Sequence, residues 1–213
     1  PMGKFNIGIT AGIETTLCAA PWIEGMNRMN LNLVPSEHAK KVFQDSRFEK
    51  RNSQTQQVEG VIQLAAPVEV LFEGANLDIY KKLDKIDGEV NVVLNSIKEE
   101  FNYLFVGHWL QGEVGQDRKD VSGLLYTFFE TFGDTPNQPA LVLKTSGGTF
   151  SVTDRSRIME KIDLVKRMSN KKILPPVYVL HGDLTDEQMN TLYNHPKIKA
   201  FVSFTKGEGY GRP

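Results

Sequence analysis

The sequence predicts an α/β protein built on parallel, doubly wound sheets, and three observations predict it. Short apolar runs alternate with segments of helical spacing along most of the chain. Single helices separate successive strands, so the strands must be joined by crossovers and lie parallel. From residue 103 onward the strands run into glycine-containing loops. Loops at strand carboxyl ends are where open parallel sheets bind ligands.

Phe5, Ile7 and Ile9 alternate with polar or small residues and predict a strand ending at Thr10-Ala11-Gly12. Trp22, Met26 and Met29 give a helix from Pro21 to Met29, and Leu31 to Val34 a short strand. Ser36 caps the next helix, with Glu37 in its first turn and Val42 and Phe43 on its apolar side. Lys50 to Gln57 is polar and aperiodic, hence a loop; Val58 to Leu64 and Val68 to Phe72 read as strands. Glu73-Gly74-Ala75-Asn76 is a turn. Residues 77–100 show no clean period, and the domain boundary is placed there, dividing the chain into 1–95 and 96–213.

Beyond it the pattern sharpens. Tyr103 to Val106 is a buried strand ended by Gly107. Val121, Leu124, Leu125, Phe128, Phe129 and Phe132 give a helix over 119–132, stopped by Gly133. Ala140 to Leu143 is a strand, and Ile158, Ile162, Val165 and Met168 mark a helix over 154–168. Val177 to Leu180 is the third strand of this half. Thr185 and Gln188 form a capping box before the helix of Met189, Leu192 and Tyr193, and Ile198 to Phe204 is the fourth strand.

Composition narrows the function classes. The 213 residues carry 25 Lys+Arg against 26 Asp+Glu, and this balance gives no overall attraction to nucleic acid or anionic membranes. A single cysteine, Cys18, excludes a disulfide framework and a cysteine-based metal site, and points to the reducing cytoplasm. The most apolar stretch, Val61 to Phe72, is interrupted by Gln63, Pro67 and Glu69, so no integral membrane segment is expected. His38, His108, His181 and His195 lack metal-ligand spacing; His38 and His195 read as surface residues, and no metal is expected. Trp22 and Trp109 read as packing residues.

Four groups of residues follow the strands of the second half. They are Gly107-His108-Trp109, Lys144-Thr145-Ser146-Gly147-Gly148, His181-Gly182-Asp183, and the run from Lys206 to Pro213 with glycines at 207, 209 and 211. Alternating glycines let backbone N–H groups approach an anion, and Pro213 suits the first turn of a helix aimed at phosphate. Four such loops on one sheet edge favour a phosphate-containing ligand. No P-loop motif is present, and no G-x-G-x-x-G follows a strand.

The run Ala200 to Pro213, with Lys206-Gly207-Glu208-Gly209-Tyr210-Gly211-Arg212-Pro213, resembles the donor-site signature of retaining glycosyltransferases of the GT-B fold, the family that includes glycogen synthase and sucrose synthase. There an E-G-[FY]-G-x-P loop opens an E-x7-E motif. Phe105-Val106-Gly107 followed by Arg118-Lys119 resembles the family's F-V-G…K-G segment. Val179 to Asp183 with Glu187 to Tyr193, and upstream Val34-Pro35-Ser36-Glu37 and Glu73-Gly74-Ala75-Asn76, match further segments in order. The sequence departs from the pattern at His108, where the family has arginine, and at Asp120, where it has glycine. The second glutamate of E-x7-E would fall at position 216, and the likeness begins partway through the family's N-terminal domain. The expectation is an internal fragment, unable to turn over by itself.

The resemblance implies two Rossmann-like domains, both incomplete: the end of an acceptor-side domain plus linker over 1–95, and a nucleotide-sugar domain over 96–213. It implies transfer of a sugar from a UDP- or GDP-sugar, with retained anomeric configuration, to an unknown saccharide, lipid or protein acceptor, with no cofactor. Arg118 and Lys119 would meet the charge of the leaving diphosphate, and Glu208 the hydroxyls of the donor sugar. Gly107, His108, Lys144, Thr145, Asp183, Leu184, Gly207, Gly209, Tyr210 and Gly211 would line the donor site, and Thr10 and Glu14 the acceptor side. The oligomeric state is not legible. A GT-B epimerase or phosphorylase is the neighbouring alternative. A different class, nucleic-acid binding, would use the basic segment 155–172 with Arg155, Arg157, Lys161, Lys166, Arg167, Lys171 and Lys172.

Overall fold

A computed structural model of the chain describes residues 3–12, 15–110 and 115–207. Its elements are β1 (Ile7–Ile9), α1 (Ala20–Met26), β2 (Leu31–Val34), α2 (Glu37–Asp45), β3 (Arg47–Arg51), β4 (Val58–Gln63) and β5 (Val68–Val70). They continue with α3 (Gly88–Asn95), β6 (Asn102–His108), α4 (Val121–Phe132), β7 (Ala140–Ser146), α5 (Val152–Met168), β8 (Val177–Leu180), α6 (Asp186–Asn194) and β9 (Ile198–Phe201). The class is α/β with parallel sheets, as expected. Two units separate at the Gly74–Ala75 junction.

In the first unit β1, β2 and β5 form a parallel sheet in that order, with Ile7 opposite Leu31 and Asn32 opposite Val68. Its core gathers Ile23 and Met26 from α1, Val42 and Phe43 from α2, and Val34 and Val68 from the sheet. Ser36 caps α2 by accepting from the Ala39 N–H at 3.1 Å. The expected loop from Lys50 is corrected: β3 and β4 form an antiparallel hairpin, and Arg51 still belongs to its first strand. Asn52 Oδ1 accepts from the N–H groups of Gln54 and Thr55, closing the turn. The polar sequence Arg47 to Arg51 is largely exposed, so no apolar alternation marks it as a strand.

The second unit is a four-stranded parallel sheet in the order β8-β7-β6-β9. Strand periodicity sends alternate residues to opposite faces. Phe105, Leu141 and Leu143, with Tyr103, Val177 and Val179, meet α4 and α5 through Leu125, Phe129, Ile158 and Ile162. Leu104 and Val142, with Val106, Tyr178 and Leu180, meet Val90 and Leu94 of α3 and Leu192 of α6. Both faces are therefore covered, as the apolar runs of these strands require.

Helix α3 lies in the stretch that shows no clean period. The structure packs it into the second unit, where Leu94 is fully buried while Val92 is 69% exposed. The segment before it is held to α6: the Tyr80 hydroxyl donates to Asp186 at 2.9 Å, and Asn190 and Asn194 donate to the Lys81 carbonyl at 3.0 Å. Strand β9 ends at Phe201, earlier than expected, although the Val202 N–H still reaches the Leu104 carbonyl at 2.9 Å. Leu94→Ala should cost about 2–5 kcal/mol of second-unit stability, and Val92→Ala less than about 0.5 kcal/mol, measured by urea unfolding.

Candidate functional site

The order of strands locates the first part of the site. The chain moves outward from β6 to β7 and β8, then returns to place β9 on the other side of β6. The gap at the carboxyl ends of β6 and β9 is thus a topological switch point, where a doubly wound sheet opens a crevice for ligands. Gly107 lies there with φ +155°, and a Cβ on it would sit 3.1 Å from the Phe105 ring and 3.6 Å from Lys119 Cε. The Lys119 stem therefore runs alongside Gly107, within van der Waals reach of a Cβ placed there. The Lys206 N–H donates to the Arg118 carbonyl at 2.9 Å, and Lys206 Nζ bonds the Gly115 carbonyl. These bonds tie the segment after β9 to the loop of Arg118 and Lys119.

Asp120 closes this loop before α4 without a glycine. Its backbone is left-handed, φ +46° and ψ +44°, a conformation that aspartate tolerates better than most residues. Its carboxylate also accepts from the Gly123 N–H at 3.3 Å, capping α4. Gly123 must stay small, because a Cβ there would lie 2.7 Å from the Asp120 oxygens.

The second part lies at the ends of β7 and β8. A cleft of about 160 Å³ is lined by Lys144, His181, Asp183 and Leu184, with Val90 and Val93 of α3 among its apolar walls. Lys144 Nζ donates to the Gly182 carbonyl at 2.7 Å and lies 5.4 Å from the Phe150 ring centroid. Burial pushes its ammonium below its ordinary pKa, with Asp183 opposing the shift. Thr145 points to the other face of β7; it is 2% exposed, does not line this cleft, and its hydroxyl has no partner among the described residues.

Asp154 joins the loops. Its Oδ2 accepts from the Gly147 N–H at 2.9 Å and lies 2.9 Å from His181 Nε2. A Cβ on Gly147 would fall 2.3 Å from Asp154 Oδ1, so glycine is required there. One strand over, His108 Nδ1 lies 3.0 Å from the Ser146 hydroxyl. Hydrogen bonds thus run between the ends of β6 and β7, and through Asp154 between those of β7 and β8. The bond to His181 is the main cause of the lowered Asp154 pKa, and the Gly147 N–H adds to it. No sequence spacing marks this partnership, because Asp154 reads only as the start of a helix.

The remaining expectations fall as follows. Glu14, Glu208, Gly209, Tyr210 and Gly211 lie outside the described residues, and Gly207 is the last described one. Thr10, in the first unit, lines a cleft of about 260 Å³ with Trp22, Met26 and Met29. Trp109 is fully buried, whereas Trp22 stays 42% exposed while stacking on Phe43. His195 is not a surface residue: it is 1% exposed, because the chain turns there from α6 into β9 and its carbonyl accepts from the Ile198 N–H at 2.9 Å. Burial lowers its pKa. Within the basic segment, Lys161 donates to the Trp109 and Leu110 carbonyls and Lys166 pairs with Asp163. Lys161 thus serves the fold.

Asp120→Gly should change stability by only a few tenths of a kcal/mol, whereas Asp120→Ala should cost about 1–3 kcal/mol, losing the cap and keeping the strained backbone. Urea melts of the two variants check this. Asp154 gives a pH signature. Its folded pKa lies below the ordinary 3.8, so its stabilisation is complete above that value and is lost as pH falls through the folded one. Asp154→Asn should therefore flatten the fall in stability below about pH 4, as read by unfolding at stepped pH.

No protein-family model matches the chain, and no curated protein does. Solved structures do match. An apo structure of OtsA has a TM-score of 0.50 at 10% identity, covering 81% of this chain and 39% of that one. A structure of trehalose-6-phosphate synthase, OtsA, scores 0.46 at 14% identity with the same coverage. One described as trehalose-6-phosphate from E. coli bound with UDP-2-fluoro glucose scores 0.47 at 14% identity, covering 85% of this chain and 41% of that one. The chain thus spans about two fifths of the length of the structures it matches. At these identities the likeness concerns the fold alone: α/β with parallel sheets, of the GT-B type.

Proposed function

We propose that the chain is part of a glycosyltransferase that takes its sugar from a nucleotide-sugar donor and retains the anomeric configuration. The second unit is the donor-binding body and the first the acceptor side; the acceptor itself is unassigned. The observation that carries this reading is the conjunction on one sheet edge. Lys119 lies alongside Gly107 at the switch point, and a half-apolar cleft with Lys144 and Asp183 opens at the adjacent strand ends. The cleft suits the flat, partly apolar body of a nucleobase with the polar ribose at its rim.

In this reading Lys119 and Arg118 stabilise the negative charge that builds on the diphosphate as the glycosidic bond breaks. Such charge is felt more in the transition state than in the bound substrate. His108, where the family pattern has arginine, is held toward Ser146 at the end of β7. Glu208 and the N–H groups of Gly209, Tyr210 and Gly211 take the donor sugar. No step requires a metal or other cofactor. Among the described residues, no helix is long and apolar enough to cross a membrane. The lone cysteine suits the reducing cytoplasm.

Thermal-shift titration with UDP, GDP and ADP tests the reading directly. Ligand at about 100 times Kd should stabilise the folded state by about 2.7 kcal/mol, and no shift with any nucleotide would count against it. In the complete protein, Lys119→Ala should lower kcat by two to three orders of magnitude, roughly 3–4 kcal/mol of transition-state stabilisation, and weaken nucleoside binding far less. Equal kcat at saturating donor would remove Lys119 from catalysis.

A further inference from the structure

We infer that His181 is a ligand-contacting residue of the cleft, its Nδ1 accepting a hydrogen bond from an N–H or O–H group of the bound nucleoside. The inference rests on the nucleotide-sugar reading and adds to it a residue that the sequence pattern does not single out.

The geometry starts from Asp154. Its carboxylate takes the Gly147 N–H and lies 2.9 Å from His181 Nε2, so with Asp154 ionised that nitrogen carries the proton. Nε2 is therefore spent; Nδ1, the other ring nitrogen and an acceptor when the ring is neutral, is the atom assigned to the ligand. The His181 side chain is only 5% exposed, and His181 is one of the residues that line the cleft. The Phe150 ring stands edge-on to it, with centroids 6.0 Å apart at 70°. Hydrogen bond and packing together hold the imidazole in one orientation, so little freedom is lost when a ligand binds.

The other polar groups of the cleft are less suited to the task. The Lys144 ammonium can only donate, and one of its protons already serves the Gly182 carbonyl. Asp183 and Glu89 are exposed and compete with water, and one Asp183 oxygen takes the Leu184 N–H. Gln188 gives its carbonyl oxygen to the Thr185 N–H in the capping box. A desolvated, oriented acceptor among apolar walls discriminates strongly between ligands that offer a donor and those that do not.

His181→Gln separates ligand contact from a clamp. The glutamine amide can reproduce the Nε2–H donation to Asp154 but puts no acceptor at the Nδ1 position. The variant should keep the wild-type melting temperature and bind UDP or GDP about five- to thirty-fold more weakly by calorimetry. Pyrophosphate, which lacks the nucleoside, should bind both proteins alike. Equal nucleotide affinity in variant and wild type would overturn the inference, and so would an equal loss for pyrophosphate. A second measurement needs no variant: in ¹⁵N-histidine-labelled protein, saturating nucleotide should shift the His181 Nδ1 resonance, and an unmoved resonance would overturn the inference. Wild-type protein that binds no nucleotide would instead defeat the reading of the cleft, and this inference with it.

Discussion

The handedness of strand–helix–strand crossovers is the constraint on which the second unit depends. Right-handed connections that march outward from β6 to β8 must put α4 and α5 on one face of the sheet. The return to β9 reverses the march, so α6 lands on the opposite face beside α3. The same reversal makes the carboxyl ends of β6 and β9 a switch point, where a doubly wound sheet opens a crevice as a consequence of chain topology. Gly107, Lys119 and Lys206 then only have to occupy positions that the topology has already opened.

Around that crevice the loops are joined by a few charge-assisted hydrogen bonds. Asp154 sits in the first turn of α5, where a carboxylate is favoured by the helix dipole. Its partners come from β7 and β8, so a single residue of one helix sets the relative positions of two strand-end loops. Burying such a charge is costly unless it is fully engaged. The close packing of Gly147 against it shows that the engagement is tight. Lys161, reaching across to the Trp109 and Leu110 carbonyls, ties the end of β6 to the same helix. The carboxyl ends of three strands are thus oriented largely by α5.

Asp120 illustrates how a non-glycine residue can hold a left-handed position before a helix. A left-handed backbone is required just before α4, and glycine is the easy residue for it. Aspartate adopts it at some strain, offset by the cap its carboxylate supplies to α4. The constraint then moves to Gly123, which must keep clear of that carboxylate.

The sequence by itself determined the α/β class, the parallel strands of the second unit, the Ser36 and Thr185 caps and the glycine-bearing loops, because each rests on local periodicity or local capping chemistry. It also pointed to Gly107, Lys144 and Asp183 through their place after strands, and to Lys119 only through the family resemblance. It left α3 unassigned: only Val90 and Leu94 of that helix are buried, too few to raise a period above the charged surroundings. It missed β3, leaving Arg47–Glu49 unassigned and reading Lys50 and Arg51 as loop, because a hairpin strand exposed along most of its length carries no alternation. Tertiary structure alone decided the strand order, the burial of His195 and the pairing of Asp154 with His181. Those depend on segments distant in sequence meeting at one sheet edge, and no local pattern records which segments will meet.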